Sequence, residues 1–182
     1  MKLQRFIETY EFAKKAHEGQ KRKTGEPYIS HPISATDIAL EYGRNDDGYK
    51  VDEPTIDAIL LHDVPEDTDV SLEEIKSKFG NLTALLVDGV TKVDGDREAT
   101  VEKVRQYAGK DRRVILVKLS DRLDNLRRPV DPNEKDKILI DMEKYNVSTA
   151  VYVKIGRQYG YSALANEVEA TLKKLNKILV VK

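Results

Sequence analysis

Apolar residues recur at steps of three and four along most of this chain, which is the spacing of one face of an α-helix. The pattern predicts helices over residues 2–18, 111–128 and 162–178. In the last of these segments the apolar face consists of Leu164, Val168, Leu172 and Leu175, and it continues to Leu179 just beyond. No stretch shows the sustained alternation of a half-buried strand. The sequence therefore predicts an all-α fold.

Local start signals, either a side chain that can cap a first turn or a proline within it, divide the rest of the chain. These signals are His31-Pro32, Asp52 with Pro54, and the capping box Ser71-Leu72-Glu73-Glu74. They predict helices that begin close to each of the three sites. Further helices are predicted over 81–91, 100–109 and 133–158, with a polar loop at 92–99.

Composition restricts the possible functions. The chain has 182 residues, 40% of them hydrophobic and 35% charged, which predicts a single domain over residues 1–182. A net charge of −1 gives no electrostatic reason for binding nucleic acid or an anionic membrane. No run approaches the ~18 apolar residues of a membrane span, and the charged N-terminus lacks a signal-peptide core, so a cytoplasmic location is expected. Because cysteine is absent, a metal site would need nitrogen and oxygen ligands.

The segment 60–68 concentrates the candidate chemistry. An apolar stretch leads into His62-Asp63, and Glu66 and Asp67 follow one helical turn later. Imidazole and carboxylate groups suit a borderline divalent metal, and the second acidic pair is suited to activating a water bound to it. The alternative is a helix end followed by an acidic, solvated turn. The residues of this segment do not by themselves decide between the two.

Two other segments carry polar residues that need partners. On the otherwise apolar helix that begins at 111, the residues Lys118, Asp121 and Asn125 fall on one stripe. The loop after the first helix contains the basic triplet 21–23, which can hold phosphate but is usually just solvated. His17, near the end of the first helix, is expected to be partly exposed.

Four motifs, in order, resemble the RelA/SpoT-type alarmone hydrolase domain of the HD superfamily. They are Gly19 to Pro32 (GQKRKTGEPYISHP), His62 to Thr68 (HDVPEDT), Phe79-Gly80 with Leu86 to Lys92 (LVDGVTK), and Lys118 to Arg127 (KLSDRLDNLR). The resemblance covers about residues 5–128 and implies an HD-domain helical bundle with a central metal site. The family's synthetase and regulatory domains have no counterpart here, so the chain resembles a stand-alone small alarmone hydrolase.

The resemblance also implies a site and a reaction. One divalent ion per chain, usually manganese, would be held by His31, His62, Asp63 and Asp121. Glu66 and Asp67 would orient and deprotonate a water on that ion. The substrate would be guanosine 3′,5′-bis-diphosphate or the related pentaphosphate, a nucleotide of the stringent response, giving GDP or GTP plus pyrophosphate. The implied substrate contacts are Arg22, Lys23, Lys118, Asn125 and Tyr145. The residue types agree with this, since two imidazoles and two carboxylates leave open positions on an octahedral ion.

Two positions depart from the family pattern: Pro65, where an aliphatic residue is usual, and Asp124, where histidine is frequent. Pro65 removes a backbone donor and leaves the spacing of Glu66 from the metal open. Asp124 adds negative charge near the pocket, which could alter substrate preference. Rival functions are an NADPH phosphatase or adenine-alarmone hydrolase on the same fold, and a catalytically weak module that binds nucleotide or a partner protein. The sequence does not determine the oligomeric state.

Overall fold

The protein consists of α-helices joined by loops in a computed structural model, which describes residues 3–128 and 135–180, with side chains over 3–128 and 145–178. The helices are α1 (Leu3–Ala16), α2 (Ser30–Tyr42), α3 (Glu53–Leu61), α4 (Val64–Asp67), α5 (Leu72–Phe79), α6 (Asn81–Val90), α7 (Arg97–Lys110), α8 (Arg113–Arg127), α9 (Lys135–Gln158) and α10 (Ser162–Val180). Extended pairing within these ranges is limited to two isolated bridges, Lys21 with Pro27 and Val93 with Asp96. The all-α prediction is confirmed. None of the described helices is both long and apolar enough to span a membrane.

Two predicted caps form as expected. The Asp52 side chain accepts a hydrogen bond from the Thr55 backbone N–H at 3.2 Å and so starts α3. The Ser71 hydroxyl accepts from the Glu74 backbone N–H at 3.2 Å and starts α5. Each contact satisfies one of the backbone donors that a first helical turn leaves unpaired.

The start of α7 differs from the prediction. The helix begins at Arg97 rather than near residue 100, because the Asp96 side chain accepts a hydrogen bond from the Ala99 backbone N–H at 2.8 Å. Asp96 is therefore an N-cap inside a segment predicted to be a polar loop. The predicted helix start at residue 133 and the apolar position Leu179 lie outside the described residues and side chains.

The central helix of the bundle is α8, which packs against α2, α3, α6, α7, α9 and α10. Its fully buried apolar side chains include Val114, Ile115, Leu116, Leu119 and Leu123. The same helix also buries Lys118, Asp121 and Asp124. Buried charges are costly unless they are paired. The polar face of α8 therefore needs partners, and these partners form the candidate site.

A glycine allows three helices to pack closely. A Cβ atom added at Gly89 in α6 would lie 2.9 Å from the Tyr107 Cβ in α7 and 3.0 Å from the Val114 Cγ1 in α8. The Tyr107 Cβ is attached directly to the backbone, so it cannot move without moving α7. The close approach of α6 to its neighbours therefore requires glycine at this position.

Candidate metal centre and adjoining cleft

Four side chains converge from three parts of the fold. His31 lies in the first turn of α2, His62 and Asp63 join α3 to α4, and Asp121 lies on α8. The His31 Nε2 atom is 3.4 Å from both Asp63 Oδ2 and Asp121 Oδ1. The His62 Nε2 atom is 3.1 Å and 3.8 Å from the same two oxygens. The structure thus brings the four predicted metal ligands into one cluster.

The His62 ring is oriented for ligation. Its Nδ1 donates a hydrogen bond to the Ile59 carbonyl oxygen at 2.7 Å, so the neutral ring carries its free lone pair on Nε2. That Nε2 atom is buried, and although Asp63 Oδ2 lies 3.1 Å away, no residue in the described ranges is aligned to form a hydrogen bond with it. Donor atoms of His31, His62 and Asp63 lie within 4.8 Å of one another. The orphaned nitrogen and the nitrogen–oxygen donor set both fit a divalent cation.

Burial and charge together set the protonation of this cluster. Burial opposes charge on both rings, but the surrounding carboxylates outweigh it and raise the pKa of His31 to about 11 and the pKa of His62 to about 9. Burial also opposes ionisation of Asp63 and Asp121, yet His62 and Lys118 respectively help to hold the pKa of each carboxyl well below its usual range. Without a metal ion, protons on the two imidazole rings therefore balance the negative charge of the carboxylates. A bound divalent cation would balance that charge instead and release the protons.

The second nitrogen of His31 is also contacted. His31 Nδ1 lies 2.6 Å from Asp124 Oδ2, and the same oxygen accepts a hydrogen bond from Arg22 Nη2 at 2.7 Å. Burial raises the pKa of the Asp124 carboxyl, but His31 and Arg22 outweigh this and lower it. The extra negative charge at position 124 is thus paired with two basic residues rather than left free in the pocket.

Tyr28 is a site residue that the sequence patterns did not single out. Its hydroxyl donates to Asp63 Oδ2 at 2.5 Å and lies 3.2 Å from Asp67 Oδ2. Burial and the charge of Asp63 raise the pKa of Tyr28, so the hydroxyl stays protonated and remains a donor. Tyr28 therefore connects a predicted metal ligand to the acidic pair. In the sequence, Tyr28 could have been identified as a site residue by its position between the basic triplet and His31.

His17 is buried, so the prediction of a partly exposed residue was wrong. Only 3% of it is exposed, and its ring centroid lies 4.6 Å from that of Tyr28. The His17 Nδ1 atom is 2.8 Å from Gln20 Oε1. The Tyr28 backbone N–H also bonds to the Gln20 carbonyl oxygen at 3.0 Å, which folds the loop over the end of α1 and covers the imidazole.

The two acidic residues of α4 have different surroundings. Glu66 accepts hydrogen bonds from the Lys92 backbone N–H at 2.5 Å and from the Lys92 ammonium at 2.6 Å. Burial lowers the pKa of Lys92, but Glu66 raises it more, so the ammonium stays charged. Within the described residues the Asp67 side chain accepts a single hydrogen bond, from the Tyr28 hydroxyl at 3.2 Å. Pro65 lies in the first turn of α4, where proline is tolerated, so the helical turn is kept.

A cleft of about 280 Å³ opens beside the cluster and is rich in cationic side chains. The five predicted substrate residues all border it, namely Arg22, Lys23, Lys118, Asn125 and Tyr145. Two of them also hold the cluster, since Lys118 Nζ lies 3.1 Å from Asp121 Oδ2 and Asn125 donates to Asp121 Oδ1 at 2.6 Å. A second cavity of about 350 Å³ adjoins this cleft. Residues shared by the two are Lys92, Lys118, Arg122 and Tyr145.

Arg122 belongs to the wall common to both cavities and was not predicted. Its guanidinium lies 4.2 Å from the ring centre of Tyr145 and 5.4 Å from that of Tyr152. Its Nη1 atom is buried and has no hydrogen-bond partner among the residues described. Arg127, further along α8, instead pairs with Glu167 of α10 at 2.9 Å and borders neither cavity. Arg122 is therefore a cation available to an anionic ligand.

Comparisons with known proteins add to this geometry. The family model described as HD domain matches residues 9–160. A guanosine-3′,5′-bis(diphosphate) 3′-pyrophosphohydrolase of Aquifex aeolicus (strain VF5) is 42% identical over 166 residues, which is 88% of this chain and 22% of that protein. A GTP pyrophosphokinase of Streptomyces coelicolor is 36% identical over 175 residues, which is 92% of this chain and 19% of that protein. The chain spans about a fifth of the length of these curated relatives.

Two solved structures are similar to this chain over most of its length. One is from work on a metazoan ortholog of SpoT that hydrolyzes ppGpp and plays a role in starvation responses. It has 28% identity and a TM-score of 0.71, and the match covers 93% of this chain and 94% of that one. A protein of Listeria monocytogenes EGD-e has 22% identity and a TM-score of 0.56, and the match covers 83% and 98%. The second likeness concerns the fold alone.

Proposed function

Because the chain belongs to the HD-domain family, we propose that it hydrolyses the 3′-pyrophosphate of guanosine 3′,5′-bis(diphosphate) and of the related pentaphosphate, with manganese as its ion. The products are pyrophosphate and GDP or GTP, and residues 1–182 act as one hydrolase domain in the cytoplasm. The observation that carries the proposal is the convergence of His31, His62 and Asp63, three possible metal ligands, with Asp121 beside a cation-lined cleft. The names of the Aquifex relative and of the metazoan structure support this substrate.

The ion would be held by His31, His62, Asp63 and Asp121. When bound, it supplies Lewis-acid polarisation of a phosphoryl oxygen and lowers the pKa of water. The chain's own side chains orient the reaction around it. The Tyr28 hydroxyl fixes one carboxylate oxygen of Asp63 by donating to it at 2.5 Å, and it lies at the same time within reach of Asp67.

We assign the proton-accepting role to Asp67 and an anchoring role to Glu66. Both oxygens of Glu66 already accept hydrogen bonds from Lys92, so this carboxylate would have to break an ion pair before taking a proton. Asp67 carries no such ion pair in the described part of the chain. Glu66 instead holds the Lys92 ammonium at the edge of the cleft, where it offsets substrate charge.

The cationic lining suits a nucleotide with two separate diphosphate groups. Arg22 and Lys23 border the cleft beside the metal cluster, whereas Lys118 and Arg122 border both this cleft and the second cavity. Guanidinium and ammonium groups bind phosphate through charge-assisted hydrogen bonds. In this proposal Asn125 contacts ribose or phosphate, and Tyr145 packs on the base or sugar.

The rival functions differ in what they require of this site. An NADPH phosphatase or an adenine-alarmone hydrolase would use the same cluster and the same cations, so the products distinguish them. A catalytically weak binding module has no need of a buried, orphaned imidazole nitrogen beside two ionised carboxylates. The cluster therefore favours an enzyme.

The deciding experiment incubates the purified full chain and manganese with guanosine and adenosine 3′,5′-bis-diphosphates, the guanosine pentaphosphate and NADPH. Chromatography and phosphorus NMR identify the products. We expect pyrophosphate and GDP from the guanosine tetraphosphate, loss of turnover on chelation, and recovery with manganese. Orthophosphate as the only small product would indicate the phosphatase, and tight binding without turnover would indicate the binding module. Asp63→Asn serves as the inactive control, and Asp88→Asn, a carboxylate change on α6 outside the cleft, serves as the active one.

A further inference from the structure

Asp124 flanks His31 together with Asp121, one turn earlier on α8. Asp121 Oδ1 lies 3.4 Å from the His31 Nε2 atom, whereas Asp124 Oδ2 lies 2.6 Å from Nδ1. Only the second distance is that of a hydrogen bond. A neutral imidazole that donates from Nδ1 keeps its free lone pair on Nε2. The contact therefore selects the tautomer whose free Nε2 faces the cluster. In metal sites, a carboxylate that accepts from the second ring nitrogen of a ligating histidine has the same effect.

The oxygen that contacts His31 is also the oxygen that binds Arg22. The Arg22 Nη2 atom lies 2.7 Å from Asp124 Oδ2, and the two side chains are only 9% and 11% exposed. One carboxylate oxygen thus serves two buried basic groups. Asp88 on α6 differs, because Lys103 contacts its Oδ1 at 2.7 Å and Tyr107 contacts its Oδ2 at 2.5 Å.

We propose that Asp124 is a positioning residue that holds His31 in its ligating tautomer and couples the ion site to anion binding at Arg22. The inference rests on the metal site of the proposed function. An anionic group that attracts the Arg22 guanidinium into the cleft leaves Asp124 Oδ2 to His31 alone. The carboxylate then interacts more strongly with Nδ1–H, which makes Nε2 a stronger donor and tightens metal binding. A histidine at position 124 could not accept from both basic groups at once.

Cobalt(II) affinity of the purified full chain, measured by calorimetry, tests the positioning role. Asp124→Asn should weaken binding about 10- to 100-fold, the usual effect of removing such a partner. Asp88→Asn makes the same chemical change in a carboxylate that accepts hydrogen bonds from Lys103 and Tyr107 outside the cleft. This control should leave the cobalt affinity unchanged. Equal affinity in wild type and Asp124→Asn would overturn the positioning role.

The coupling is tested by a double-mutant cycle. Arg22→Gln should tighten cobalt binding, by about two- to tenfold, because it leaves the Asp124 charge to His31 alone. In the Asp124→Asn background the same change should have no effect. An equal effect of Arg22→Gln in both backgrounds would overturn the coupling.

Asp124→Asn leaves the buried charge of Arg22 unpaired, which destabilises the fold. The Arg22→Gln/Asp124→Asn double variant removes that charge, and it should still bind cobalt about 10- to 100-fold more weakly than Arg22→Gln alone.

The tautomer of His31 can be measured directly. The chain has 3 histidines, so nitrogen-15 shifts of the zinc-loaded protein can report each tautomer. We expect His31 to carry its proton on Nδ1 in wild type and to lose this preference in the double variant. An unchanged tautomer would overturn the inference, and a wild-type chain that binds no cobalt would overturn the proposed metal site with it.

Discussion

Lys92 contacts Glu66 through two separate groups, its backbone N–H at 2.5 Å and its ammonium at 2.6 Å. The two residues lie 26 positions apart in the chain. Both oxygens of the Glu66 carboxylate are therefore occupied, and the side chain is largely buried. The neighbouring carboxylate of Asp67 has no such partner within the described ranges. Two adjacent acids that look alike in the sequence are thus expected to act differently.

The first prediction follows from this difference. Asp67→Asn should lower kcat by about 10²–10⁴-fold, the usual contribution of a general base, with metal content unchanged. Glu66→Gln should lower kcat less and raise KM, because it releases the Lys92 ammonium from the cleft. Metal analysis and steady-state kinetics on both variants give the measurement. A larger kcat loss in Glu66→Gln would reverse the two roles, and near-wild-type kcat in both would reject a carboxylate base.

A second prediction concerns the ligands. Asp63→Asn should reduce metal affinity and activity together, because a neutral amide is a poorer donor to a divalent cation than a carboxylate. Exhaustive chelation of wild type should abolish hydrolysis, and manganese should restore it. Metal content by mass spectrometry and initial rates provide the check. Full activity in a metal-free preparation would show that the cluster has another role.

The third prediction tests Arg122, one of the cations that border both cavities. Arg122→Gln should raise KM about tenfold with kcat nearly unchanged, because it removes a charged hydrogen-bond donor to a distal phosphate. Arg127→Gln is the matched control, since Arg127 lies on the same helix and pairs with Glu167 instead. Equal kinetic constants in the two variants would exclude Arg122 from substrate binding.

The fourth prediction concerns pH. Without a cation the folded cluster raises the pKa of His31 to about 11 and that of His62 to about 9, above the ordinary value of 6.5. The folded state then binds more protons than the unfolded state above pH 6.5, so this contribution to stability is complete below that pH and is lost as the pH rises toward 9 and beyond. Metal binding requires neutral imidazoles and so strengthens over the same range.

The increase in Tm caused by manganese should therefore be larger at about pH 8.5 than at about pH 6.5. Calorimetric scans at the two pH values measure it, and titrations in buffers of different ionisation enthalpy count the protons released. In the Asp63→Asn variant, the increase in Tm caused by manganese should lose most of its dependence on pH. A metal-induced shift in Tm that is the same at both pH values would contradict protonated histidines in the metal-free cluster.

The fifth prediction concerns helix packing. Gly89→Ala should destabilise the fold by about 1–3 kcal/mol, because its methyl group would press on the Tyr107 Cβ and force α6 away from α7. Gly109→Ala is the control. Gly109 lies in α7, its nearest neighbour to an added Cβ is the Tyr159 hydroxyl at 3.5 Å, and the change should stabilise by about 0.5–1 kcal/mol. Denaturant midpoints of the two variants should therefore move in opposite directions.

The sequence by itself determined the elements and the donor types. Helices are local, so apolar spacing and capping side chains were enough to predict most of them, including the caps at Asp52 and Ser71. The absence of cysteine and the presence of His62-Asp63 restricted a metal site to nitrogen and oxygen ligands. Motif resemblance then named the remaining ligands, His31 and Asp121.

The tertiary structure decided how those groups are held. The Tyr28–Asp63 and His31–Asp124 contacts join residues 35 and 93 positions apart, and no periodicity links positions at such distances. His17 is buried because the loop after α1 folds over the end of its helix, and the apolar spacing within α1 does not describe that loop. Local pattern follows from the geometry of a single helix. Pairing of buried charges follows from the packing of several helices, which exclude water and leave each charged group only the neighbours that the fold provides.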